Sequence, residues 1–257
     1  MPELIANATN YIIFIAVSIG VQLFSILAKD AASKRSFLTI RRVPSIDAID
    51  EAVRSCAEKG RPSFWSPGWG GSITSAATAI YGPGEFAICR ECARLSGEVG
   101  IPLYMLAGDP NVNLIIRDSA REGFSESGRP ELYDDSKVFW TPGRGYLYTA
   151  ISIIENFRPG VVIITGCFGS GTNSQVLEVA RRVGAISIAG EMWPHETSHG
   201  AIAADYLMLP EEMVAAGALL SDDPTSQSTV LGNDLIKLWS ILILLFFVVM
   251  TLISGGI

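Results

Sequence analysis

Short apolar runs alternate with amphipathic stretches through the middle of the chain, and a long uncharged run stands near each end. Residues 161–165 (VVIIT) make the clearest strand, β-branched throughout. Shorter strands are predicted at 63–65, 101–106, 138–140, 185–189 and 205–209. Helices are predicted between them. The first starts at Ser45, a helix N-cap after Pro44, and places Ile46, Ile49, Val53 and Cys56 on one face before Gly60 ends it. Others follow at 73–80, 85–99, 111–122, 146–157, 173–183 and 211–220, with Gly82-Pro83-Gly84 predicted to break the chain between the second and third. Residues 190–200 read as a loop or short helix. Short strands alternating with helices predict βαβ units, hence an α/β fold with a doubly wound, mostly parallel, Rossmann-like sheet.

The two end runs set the expected organisation. Residues 11–28 (YIIFIAVSIGVQLFSILA) and 238–257 (LWSILILLFFVVMTLISGGI) contain no charge. As helices they rise roughly 27–30 Å, the thickness of a bilayer's hydrocarbon core. Lys29, Lys34, Arg35, Arg41 and Arg42 follow the first run against the single acid Asp30, a basic flank that marks the cytoplasmic side. The expected layout is a lead and first transmembrane helix over 1–28, a basic linker over 29–44, an α/β domain over 45–221, a linker over 222–237 and a second transmembrane helix over 238–257. The protein is then expected in the cell membrane, in contact with the lipid bilayer, with both termini outside and the middle domain cytoplasmic.

Charge and cysteine content narrow the function classes. The net charge is -7 although the first linker is basic, so the middle domain is acidic and no nucleic-acid partner is expected. Four cysteines in a cytoplasmic domain predict reduced thiols. Cys89-Arg90-Glu91-Cys92 falls inside a predicted helix, where two small buried thiols are the simplest reading.

Three stretches could carry chemistry. Gly166, Gly169, Ser170, Gly171 and Thr172 follow the clearest strand, and Gly70, Gly71 and Ser72 follow the first. Glycine turns at strand ends let backbone N–H groups and a helix N-terminus approach an anion, so these residues are the candidate ligand-binding set, with a nucleotide as a possible ligand. Neither turn has the GxGxxG spacing or the lysine of a P-loop. His195-Glu196-Thr197-Ser198-His199 is a literal HExxH, in which His195 and His199 could hold zinc and Glu196 position a water. Pro194 just before it and Gly200 just after it leave little helix to fix the pair. No cofactor is expected on this evidence, and no catalytic set can be assembled.

Trp69-Gly70-Gly71, the run PLYMLAGDPN at 102–111, residues 165–171 and the run DYLMLPEEMVAAGALLS at 205–221 resemble a family of bacterial and archaeal membrane proteins known only as a domain of unknown function. The resemblance covers most of the middle domain and both end runs. It implies a membrane-tethered α/β domain and brings no activity or catalytic residues with it; the HETSH run is no part of it. The leading expectation is a membrane-anchored, non-enzymatic scaffold that self-associates into a homo-oligomer through its α/β domain. The alternatives are a nucleotide- or anion-binding regulatory domain, and a zinc-dependent hydrolase using the HETSH segment.

Overall fold

The structure is a computed structural model. It describes residues 42–68, 74, 76–169 and 171–220 of the central body, and residues 15–20, 22, 23, 26, 27, 227, 230, 234, 237–245, 248 and 249 of the flanking segments. Contacts divide the chain into two units, Met1–Ile40 with Asp222–Ile257, and Arg41–Ser221.

The central body alternates helices and strands as the sequence pattern predicts: α1 (Pro44–Glu58), β1 (Ser63–Gly68), α2 (Ala76–Val99), β2 (Leu103–Ala107), α3 (Pro110–Glu126), β3 (Val138–Trp140), α4 (Gly145–Phe157), β4 (Val161–Cys167), α5 (Thr172–Arg182), β5 (Ile186–Glu191), α6 (Pro194–Ala203), β6 (Tyr206–Met208) and α7 (Pro210–Leu220). The six strands form one sheet in the order β3-β2-β1-β4-β5-β6, and every pairing is parallel. This is the strand order of dinucleotide-binding Rossmann sheets, with its topological switch between β1 and β4.

Side-chain alternation builds a core on each face. Phe64, Leu106, Val162, Ile164 and Ala189 point toward Tyr146, Ala150 and Ile154 of α4 and Val176, Leu177 and Ala180 of α5. Their neighbours Trp65, Met105, Ile163 and Ile188 are equally buried and point the other way. There α2 packs against α1, α3 and α7, and Cys89 of α2 meets Met105. The four cysteines are free thiols. Burial pushes those of Cys89 and Cys92 far up, which suits core packing and not redox chemistry.

Two local expectations change. Helix α1 starts at Pro44 with Val43 as its N-cap, and the Ser45 hydroxyl donates instead to the Leu207 carbonyl of β6 at 2.6 Å. Helix α2 runs unbroken through Gly82-Pro83-Gly84. A methyl group on Gly84 would lie 1.9 Å from the Met213 carbonyl oxygen, so α2 and α7 cross here backbone to backbone.

The membrane expectation is corrected. Among the described residues no helix is long and apolar enough to cross a membrane. Residues 11–14, 21, 24, 25, 28, 246, 247 and 250–257 of the two expected spans lie outside the described residues. Two spans, with both termini outside and the middle domain cytoplasmic, therefore do not stand.

Candidate functional site

Polar groups gather at the carboxyl ends of β4 and β5, beside the switch point. Three glutamates reach this place from three elements. Glu191 ends β5, Glu196 lies in the first turn of α6, and Glu85 comes across from α2; all three are buried. Their common neighbour is Cys167 at the end of β4. Its half-buried thiol is pushed up to about 11, first by burial and then by the charge of Glu196, against a hydrogen bond from Trp193, with Glu85 and Glu191 adding to the rise.

Each carboxyl group is held differently. The Glu196 carboxylate accepts the backbone N–H groups of Phe168 (3.4 Å) and Gly169, so the chain's own anion fills the turn between β4 and α5. Glu191 accepts from the Asn173 side-chain amide at 2.8 Å through Oε1, whereas its Oε2 has no partner among the described residues. Asn173 also bonds the Glu196 carbonyl at 3.3 Å, which ties α5 to α6 around Glu191. Burial, only partly offset by Asn173 and reinforced by the charge of Glu196, pushes the Glu191 carboxyl up to about 8. Burial alone raises Glu85 well above the carboxylate range, and its Oε1 is likewise unpartnered. Glu85 lies against the fork of β1 and β4. A methyl group on Gly166, whose φ is +124°, would stand 2.0 Å from Glu85 Oε1 and 2.3 Å from the Pro67 carbonyl oxygen.

The residues singled out in the sequence fare unequally. Gly166 is closed in by Glu85 and Pro67, the Gly169 amide is taken by Glu196, Gly171 is the left-handed N-cap of α5, and Thr172 is buried with its N–H on the Gly169 carbonyl. Ser170, Gly70, Gly71 and Ser72 lie outside the described residues. The two histidines do share helix α6. His195 is exposed and stacks on Trp193, while His199 lies against Gly171 with its Nδ1 buried and unpartnered. Glu196, the residue an HExxH site would use to position water, is committed to the turn. Among the described residues no three His, Cys, Asp or Glu side chains come together as a metal-binding group.

A model of one protein family matches residues 4–257, nearly the whole chain. The chain belongs to the family described as Domain of unknown function (DUF6754). Membership in DUF6754 assigns no chemistry, so the site rests on geometry alone. No curated protein and no solved structure matches the chain.

Glu85, Glu191 and Asn173 are not among the residues singled out from the sequence. A usable signal was present for both acids. Glu191 is the only charged residue in the apolar run ISIAGEMW, and Glu85 is the only one in the run from Ile80 to Cys89. A lone acid inside a buried element needs a proton, a partner or a ligand.

Proposed function

We propose that the α/β body is a non-catalytic, ligand-binding domain whose site is the polar cluster at the ends of β4 and β5. The observation that carries this reading is the pair of buried polar atoms without partners among the described residues, Glu191 Oε2 and His199 Nδ1, in the place where open α/β sheets bind their ligands. Unsatisfied buried groups are costly unless a ligand, water or proton completes them. A catalytic role has little support. The Cys167 thiol is held well above neutral pH, Glu196 is engaged with the backbone, and His195 faces solvent.

The test is thermal unfolding of the full chain against a panel of nucleotides, amines and sugars. A true ligand at a hundredfold excess over its Kd stabilises by about 2.7 kcal/mol and raises the melting temperature by a few degrees. An unchanged melting temperature across the panel removes the reading.

Self-association is a second reading, favoured by a separate aromatic surface. A groove of about 370 Å³ beside α4 is lined by Phe139, Tyr148, Ile153 and Phe157 with Thr149, Ser152 and Asn156, and Tyr148 is 73% exposed. Contiguous exposed aromatics of this kind mark interaction surfaces.

A further inference from the structure

We infer that the ligand of the β4–β5 site presents an ammonium group, which hydrogen-bonds Glu191 and displaces its proton to solvent. This rests on the ligand-binding reading and names the ligand's chemistry. Charge and hydrogen-bonding capacity at Glu191 select the ligand. The donors that reach the Glu191 and Glu196 carboxyl groups are already used. The Asn173 amide serves Glu191 and the Glu196 carbonyl, and the Phe168 and Gly169 amides serve the Glu196 carboxylate. The Asn173 carbonyl oxygen is also used, by the Ser174 N–H. Glu191 Oε2 remains without a partner among the described residues.

Among the described residues, the ionisable groups that act on Glu191 and its neighbour Cys167 are Glu196 from α6 and Glu85 from α2. No lysine or arginine is among them. A phosphate or carboxylate would meet the carboxyl groups of Glu191 and Glu196 here, with no lysine or arginine among the described neighbours to offset them. An ammonium carries three donors and the opposite charge. Gly200 brings α6 close, since a methyl group there would stand 3.2 Å from Glu191 Oε1. Trp193, 42% exposed and hydrogen-bonded to the half-buried Cys167, forms an aromatic lip toward solvent.

The proton balance is explicit. Glu191 starts as the neutral acid. The ammonium arrives with its three N–H bonds intact, the Glu191 O–H breaks, its proton goes to the buffer, and a carboxylate–ammonium pair forms. Affinity therefore rises up to tenfold per pH unit while Glu191 holds its proton in the free protein, and levels off near pH 8, where that proton is lost.

The experiment is calorimetric and thermal titration of the full chain with putrescine, with tetramethylammonium as a cation that offers no N–H. Putrescine should stabilise the protein and tetramethylammonium should not. Binding should tighten roughly tenfold from about pH 6.5 to about pH 7.5, and enthalpies in two buffers of different ionisation heat should report close to one proton released at the lower pH. Glu191→Gln should lose the pH dependence and bind at least tenfold more weakly. Should that variant not fold, the proton count on the unaltered protein decides, and a count of zero overturns the inference. Equal stabilisation by tetramethylammonium overturns it too. Putrescine inactive while another panel compound stabilises would sink the ammonium and leave the site, whereas silence across the whole panel removes both.

Discussion

Glu191 is a buried acid at the end of a buried strand, with one hydrogen bond to its carboxyl group. Its proton is retained in the folded state to about pH 8 and is lost from the unfolded chain near the ordinary glutamate value of about 4.3. Between those limits the folded protein binds more protons than the unfolded one. Stability contributed by this group is therefore complete below about pH 4.3, falls as pH rises through the window, and is flat above about pH 8. The expected loss is on the order of a few kcal/mol across the window. Glu191→Gln keeps the shape and needs no proton, so it should flatten the slope and melt above the unaltered protein at about pH 8.5. Glu85 is shifted in the same direction and leaves a residual slope of the same sign. Denaturation curves at several pH values measure the difference, and parallel curves for the two proteins would show that Glu191 ionises normally in the fold.

Helix α2 shows where reading elements from sequence succeeds and where it stops. The strands were legible because each is a short apolar run between turn residues, and their alternation with helices pointed to the parallel sheet. The β4–α5 glycine turn was legible for the same reason. Helix α2 was not, because Gly82-Pro83-Gly84 has the local chemistry of a break. The contact made there is nonlocal: Gly84 and Gly217 let α2 and α7 touch backbone to backbone. The partner of the glycine turn was hidden by the same kind of cause. Glu196 reaches Phe168 and Gly169 from 28 and 27 residues away, and no local pattern foretells which acid folds back onto a turn. The crossing makes a sharp prediction. Gly84→Ala places its methyl against backbone that cannot yield as a side chain would, and should cost about 1–3 kcal/mol despite alanine's better helix propensity. Urea denaturation reads this directly. A stabilised variant would mean that α2 and α7 separate easily.

For the molecule as a whole, the sheet edges constrain how copies could meet. A bare edge strand invites pairing with another chain. Here both edge strands are only three residues long, and side chains of the body donate to their carbonyls. Arg117 and Asn113 of α3 donate to Val138 and Phe139 of β3 at 3.0 Å each, and Ser45 donates to Leu207 of β6. Edge strands this short offer little backbone for strand addition. The aromatic surface beside α4 is the better candidate. Tyr104 stacks on Phe157 at 4.1 Å between nearly parallel rings, so the rings already form a rigid column with Tyr148 outside it. A stable interface needs roughly 800 Å² from each partner, and an aromatic anchor near its centre would carry much of the binding energy. If copies meet here, light scattering of the full chain gives a mass of at least two chains, and Tyr148→Glu lowers it toward one. Because Tyr148 is exposed, that substitution should leave the melting temperature of the separated chain within about a degree. Removing the Arg117 side chain instead exposes the β3 edge and should not dissociate the assembly. A single-chain mass for the unaltered protein would end the self-association reading, and an assembly untouched by Tyr148→Glu would move the interface away from α4.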